Sequence, residues 1–157
     1  MAALLTERTL TLAVAESLTG GLIADRLTNV PGSSRFLERG VVVYSNRSKE
    51  ELLSVPHEVL ETKGAVSEEV ARLMAEGVRT IAKTDIGVAT TGIAGPAGGT
   101  AEKPVGMVYV ALADGHTTWC RQFRFRWERR RIKEITAQVA LEFVRRLLVG
   151  VDIGDGE

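Results

Sequence analysis

Two apolar runs, Val105 to Ala113 and Thr117 to Arg126, flank Asp114-Gly115, and this limits the fold more than any other feature. Asp-Gly between strand-like runs is the signal of a tight hairpin, so these two strands pair antiparallel. The chain before them alternates instead. Thr9 to Ala15 alternates and then becomes continuously apolar, which reads as a buried strand. Glu16-Ser17-Leu18-Thr19-Gly20-Gly21 is a turn, and Leu22, Ile23, Arg26 and Leu27 fit a helix that stops before Pro31. Gly40 to Tyr44 is a second, valine-rich strand; Ser48 to Leu53 reads as a short helix, and Pro56 starts another. Ser67 is an N-cap with Glu68 and Glu69 in the first turn, opening a helix with Val70, Leu73, Met74, Val78 and Ile81 at helical spacing. Asp85 to Thr90 is a third strand, and Glu128 to Leu148 is a long last helix with Ile132, Ile135, Val139, Leu141, Phe143 and Leu147 as its apolar contacts. Strands separated by helices favour a parallel sheet, to which the hairpin adds antiparallel strands. The expected fold class is α/β: a single-domain, three-layer α/β/α sandwich around a mixed sheet that includes the C-terminal hairpin.

Residues 1–150 are expected to form one domain and 151–157 a frayed tail rich in glycine and acid; there is no internal repeat and no linker. A chain of 157 residues buries roughly 68–70% of its unfolded surface and needs no disulfide or metal to hold it. Lys+Arg and Asp+Glu are both 20, so there is no net field to attract nucleic acid or a membrane surface. The single cysteine, Cys120, excludes an intrachain disulfide and reads as a buried inert thiol. His57 and His116 are far apart with no cysteine cluster, so no metal site and no cofactor are expected. Met1 to Arg8 has no apolar core of a signal peptide, and no apolar run approaches the ~20 residues of a membrane span. The expected location is the cytoplasm.

Ser34, Tyr44 and Lys49 surround the second strand. Serine becomes a nucleophile when a base takes its proton, lysine can be that base when its pKa is lowered, and tyrosine can relay a proton or fix the lysine. The strand between them spans roughly 17 Å, so Ser34 meets Tyr44 only if residues 34–40 fold back as a helical turn. Spacing alone favours a capping serine, an exposed tyrosine and a solvated lysine. The residue three before Lys49 is Asn46, so no Ser-x-x-Lys motif is present.

Two loops can approach a ligand. Glu16 to Gly21 joins a strand to a helix, and hydroxyls and amides at a helix N-terminus form an anion site, although a plain N-cap with a glycine turn fits equally. Thr91-Gly92-Ile93-Ala94-Gly95-Pro96-Ala97-Gly98-Gly99 is neither G-x-G-x-x-G nor a Walker A loop, yet it follows a strand where open α/β sheets bind ligands. The run Arg126-Trp127-Glu128-Arg129-Arg130-Arg131-Ile132-Lys133 puts cations at a helix start, against the dipole, where a phosphate or a nucleic acid would compensate, or where the charges are simply solvated.

Six segments occur in one order: Ala15-Glu16-Ser17-Leu18-Thr19-Gly20-Gly21, Pro31-Gly32-Ser33-Ser34, Gly40 through Tyr44-Ser45-Asn46 to Lys49, Gly64-Ala65-Val66-Ser67, Thr91-Gly92-Ile93-Ala94-Gly95-Pro96 and Lys103-Pro104-Val105-Gly106. Together they resemble the CinA C-terminal domain, the nicotinamide-nucleotide amidohydrolase (PncC) family, from about Leu10 to Leu148. The resemblance implies hydrolysis of the carboxamide of nicotinamide mononucleotide to nicotinate mononucleotide and ammonia, in NAD salvage, without a metal and in a homodimer. It implies Ser34 as nucleophile with Tyr44 and Lys49 as its activating pair, and an oxyanion held by backbone amides near Ser34 or the glycine loop. It places Ser17, Thr19, Gly20, Gly21, Thr91, Gly92, Ala94 and Gly95 in the substrate pocket, with Arg129 for the phosphate. Leu18 stands where many members have cysteine, Ala97 replaces a frequent Asp or Gly, and Lys133 stands where arginine is common. The N-terminal domain of full-length CinA proteins is not in this sequence, so its pyrophosphatase activity is not expected. The alternative function is a non-catalytic nucleotide-binding or regulatory module; a nucleic-acid module resting on the arginine run is disfavoured by the neutral charge.

Overall fold

In the computed structural model, which describes residues 1–154, six helices surround one five-stranded sheet. In chain order the elements are α1 (Ala2–Glu7), β1 (Leu12–Glu16), α2 (Leu22–Thr28), a 3-10 turn (Ser33–Arg35), β2 (Leu37–Val42), α3 (Asn46–Leu53), α4 (His57–Lys63), α5 (Glu68–Ala82), β3 (Ile86–Gly92), β4 (Met107–Ala113), β5 (Thr118–Arg124) and α6 (Arg129–Val149). The strand order is β2-β1-β3-β4-β5. β1 pairs parallel with β2 and β3, whereas β3–β4 and β4–β5 pair antiparallel. This is the expected mixed α/β sheet with its hairpin. Asp114 closes the hairpin by accepting from the N–H of His116 (2.9 Å) and of Thr117 (2.8 Å).

The period-two alternation of the strands divides the core by residue size. Leu12, Val14, Ile86, Val88, Val108, Val110 and Leu112 face one side, against α1, α2 and α6. Ala13, Ala15, Ala89, Ala111 and Ala113 face the other, against α3, α4 and α5. The small face lets α5 approach closely. At Gly87 of β3 a Cβ would run into the Ala75 carbonyl oxygen of α5 and lie 2.7 Å from the Cβ of Arg79, so the close approach needs glycine.

Element boundaries differ from expectation near the site. The second strand is Leu37–Val42, so Tyr44 lies beyond it, and residues 34–40 do not fold back: the helical turn covers only Ser33–Arg35. The first strand begins at Leu12 rather than Thr9, because Thr9 takes a left-handed φ of 53° after α1. The third helix starts at Asn46, two residues early, because Ser45 caps it reciprocally with Ser48. Of the expected tail, Ile153 is buried and Arg146 donates to the Asp152 carbonyl, so the chain is packed as far as Ile153; residues 155–157 of that tail lie outside the described residues. No helix among the described residues is long and apolar enough to cross a membrane.

Candidate active site

The sheet order places a topological switch between β1 and β3: the connection from β1 leads outward to β2, and the next strand, β3, returns to β1's other side. Ligand crevices in open α/β sheets form at the carboxyl ends of the strands beside such a switch. Ser17 directly follows β1, and Thr91 and Gly92 end β3. Between them lies a cavity of about 200 Å³ lined by Ser17, Leu18, Tyr44, Lys49, Ala65, Val66, Thr91, Gly92, Ala94 and Arg129.

Lys49 sits in the first half of α3 but is only 1% exposed. Its Nζ donates to the carbonyls of Val43 (2.8 Å) and Tyr44 (3.4 Å), and lies 3.4 Å from Ser17 Oγ. Burial penalises the ammonium and lowers the lysine from its ordinary 10.5 to about 8. The solvated-lysine alternative therefore fails, and a lysine able to act as a base near neutral pH stands beside a buried serine hydroxyl.

Ser34 is not part of this group. It is exposed, on the 3-10 turn at the amino end of β2, while Lys49 follows the carboxyl end. Six strand residues separate the two ends, roughly 20 Å at ~3.3 Å per residue. The expected Ser34–Tyr44–Lys49 trio is thus not brought together in this chain; the serine that meets Lys49 is Ser17, expected only as a pocket residue. Its signal was its place immediately after a buried strand, at the strand–turn–helix junction. Tyr44 is at the mouth, 62% exposed. Its carbonyl, not its phenol, meets Lys49, and the phenol oxygen accepts from Arg129 at 3.0 Å.

The expected anion site before α2 is already filled by the protein. Glu16, 1% exposed, accepts from the N–H groups of Gly21 (3.0 Å), Ile23 (3.1 Å) and Ala24 (2.9 Å). A carboxylate at the first turn satisfies orphan amides and the helix dipole together. Thr19 is fully buried and shares a hydrogen bond with Thr90 (2.9 Å), and Gly20 and Gly21 turn the chain at φ of 61° and 100°. These three residues shape the loop rather than line the cavity. Thr91 does line it, with its hydroxyl donated to the Ala65 carbonyl (2.7 Å).

Arg129, the first residue of α6, spans the two loops at the cavity mouth: Nη1 donates to the Gly95 carbonyl (2.7 Å) and Nη2 to Tyr44. It also lines a neighbouring depression of about 480 Å³ with Leu22, Arg130, Lys133 and Glu134. Arg130 and Arg131 pair with Glu134, so the cations at this helix start are partly compensated from within. Lys133 lies beside Gly20, with its Nζ 3.5 Å from where a Cβ would stand there. Among the described residues no three metal-ligating side chains cluster.

Residues 1–148 match the family description of the CinA C-terminal domain. The chain is 64% identical to a CinA-like protein of Syntrophus aciditrophicus over 94% of its own length, and 52% identical to a CinA-like protein of Geobacter sulfurreducens over 95%. It spans only 36% of the length of each of these relatives. Among solved structures it is similar to the competence/damage inducible protein CihA from Agrobacterium tumefaciens (42% identity, TM-score 0.89, covering 91% of this chain and 88% of that one). It is similar also to the competence damage-inducible protein A (ComA) from Klebsiella pneumoniae (32% identity, TM-score 0.91, covering 94% and 92%). By sequence and by fold, this chain belongs to the CinA C-terminal domain family.

Proposed function

We propose that this chain is an amidase that hydrolyses the carboxamide of nicotinamide mononucleotide, with Ser17 as nucleophile and Lys49 as its base. The observation that carries the reading is the 3.4 Å approach of Ser17 Oγ to a buried lysine whose pKa is lowered to about 8, in a cavity of about 200 Å³. A serine–lysine pair of this kind supports nucleophilic acyl transfer without a metal.

Neutral Lys49 takes the Ser17 proton as Oγ bonds to the amide carbon, and the carbonyl electron pair moves to oxygen. The tetrahedral species collapses as the Lys49 ammonium protonates the leaving nitrogen, so ammonia departs and an acyl ester on Ser17 remains. Water then adds to the ester carbon with its proton passing to Lys49. The second tetrahedral species expels Ser17, which regains that proton, leaving the carboxylic acid. The net change is amide plus water to acid plus ammonia.

The adjacent depression supports a substrate whose carboxamide is carried on a larger anionic group. Arg129 joins the two compartments, and Lys133 stands within the second. In this reading the pyridine carboxamide enters the inner cavity and the ribose phosphate lies outside, near Arg129.

The test is ammonia release from nicotinamide mononucleotide by the purified protein in a metal-free buffer, with Ser17→Ala as control. Release by the wild type and not by the variant supports the assignment. Saturable binding of the nucleotide without ammonia release would replace it by the regulatory-module reading.

A further inference from the structure

Resting on the amidase reading above, the chemistry places negative charge on the substrate carbonyl oxygen twice, and something must meet it. The polar side chains inside the cavity are committed elsewhere, and Tyr44, whose phenol accepts from Arg129, stands at the exposed mouth. Thr91 donates its hydroxyl to Ala65, Arg129 bridges Gly95 and Tyr44, and Lys49 holds two main-chain carbonyls and faces the nucleophile. The donors for an oxyanion are therefore sought in the main chain.

The turn after β1 can be accounted for amide by amide. Ser17 N–H donates to the Thr90 carbonyl, Gly20 to Ser17 and Leu22 to Thr19, while Gly21, Ile23 and Ala24 donate to Glu16. No acceptor among the described residues takes the N–H of Leu18 or of Thr19; Thr19 does not line the cavity, whereas Leu18, 4% exposed, lines it next to Ser17. On the loop after β3, the N–H of Ile93 is taken by Met107, whereas those of Ala94 and Gly95 have no acceptor among the described residues; of these two Ala94, 5% exposed, lines the cavity. Buried main-chain amides are nearly always paired, so unpaired ones on two residues that line one small cavity call for a ligand.

We infer that the main-chain N–H groups of Leu18 and Ala94 form the oxyanion hole of this site, for the carbonyl oxygen of a carboxamide attacked by Ser17. The arrangement follows from the local fold. A nucleophile at a strand-to-helix turn leaves the amide of the next residue directed at the bond it attacks, and a second loop supplies the partner donor. The Glu16 carboxylate absorbs the helix-start amides, and of the two left over in the turn the one that lines the cavity, Leu18, is adjacent to the nucleophile. Donors fixed in this way act without reorganisation when the charge develops.

The decisive experiment replaces one peptide N–H by oxygen, incorporating the α-hydroxy analogue of leucine at position 18, and that of alanine at position 94, in otherwise intact protein. Side chains and shape are kept and only the donor is removed. The expected result is a kcat for nicotinamide mononucleotide lower by ~10²–10³-fold in each ester variant. KM and the dissociation constant of nicotinate mononucleotide stay within about threefold of wild type, because neither reports the tetrahedral state. An unchanged kcat overturns the assignment. So does a fall in kcat matched by equal losses in product affinity and thermal midpoint, which marks a structural amide. Wild-type protein that releases no ammonia fails the amidase reading itself and takes the oxyanion hole with it.

Discussion

Ser17 Oγ lies 3.4 Å from Lys49 Nζ, although the two residues are 32 positions apart and sit on different elements. β1 delivers the serine, and α3 delivers a lysine whose head is folded back onto the carbonyls of Val43 and Tyr44. This pair, and not one built on Ser34, brings a buried hydroxyl beside a lysine of lowered pKa.

Alanine substitutions separate the two serines. Ser17→Ala removes the proposed nucleophile and is expected to lower kcat by at least ~10³-fold, whereas Ser34→Ala is expected to keep kcat within about twofold. Steady-state ammonia release under the same conditions checks both. Loss of activity at Ser34 with activity retained at Ser17 would reverse the assignment.

The pH dependence follows from Lys49. In the proposed mechanism its neutral form is the base, and burial brings its pKa to about 8. Below pH 8 the competent fraction falls tenfold per unit, so kcat/KM is expected to rise with slope one up to about pH 8 and level off above it. The same shift acts on folding in the corresponding direction. The unfolded chain, with lysine at 10.5, binds more protons between pH 8 and 10.5, so the contribution of Lys49 to stability is most unfavourable below pH 8 and improves as pH rises through that window. The change amounts to about 3 kcal/mol. Lys49→Met is expected to abolish turnover and to flatten this part of the stability profile, as read by urea titration at pH 7 to 10.

Glu16 is expected to be a positioning residue. Its two oxygens accept three buried or half-buried amides at the start of α2. Glu16→Gln keeps the shape but turns one acceptor into a donor facing amide hydrogens, an expected loss of about 2 kcal/mol. Because the turn it holds carries Ser17, kcat is expected to fall more than KM rises. Urea unfolding and steady-state kinetics on one preparation test both parts.

Arg129 ties Tyr44 to Gly95 across the mouth. Arg129→Lys keeps the charge but cannot make both contacts from one planar group. The expected effect is a rise in KM for the nucleotide of about tenfold or more, with a smaller rise for nicotinamide riboside, which lacks the phosphate. Equal effects on the two substrates would assign Arg129 to loop bridging alone.

The elements themselves were legible because each is a local statement. The Asp114-Gly115 hairpin, the Ser67 cap and the apolar period of α5 depend on neighbours within a few residues, and each forms as expected. The two loops at strand ends were legible as ligand-approaching segments, and the family resemblance named Ser17, Thr91, Gly92 and Ala94 within them, all of which line the cavity. The fold-back of residues 34–40 was not realised. β2 pairs with β1 as far back as Leu37, and that ladder holds the segment extended.

What the sequence by itself determined is the order of strands and helices, the hairpin and the family, because periodicity, capping and turn chemistry act over short stretches of chain. What only the tertiary structure decided is which serine meets the lysine. Parallel pairing of β1 between β2 and β3 puts the carboxyl ends of β1 and β3 side by side and leaves Ser34 at the far end of β2. The burial that brings Lys49 near pH 8 comes from packing α3 beneath that edge, a long-range arrangement that no local run of residues encodes.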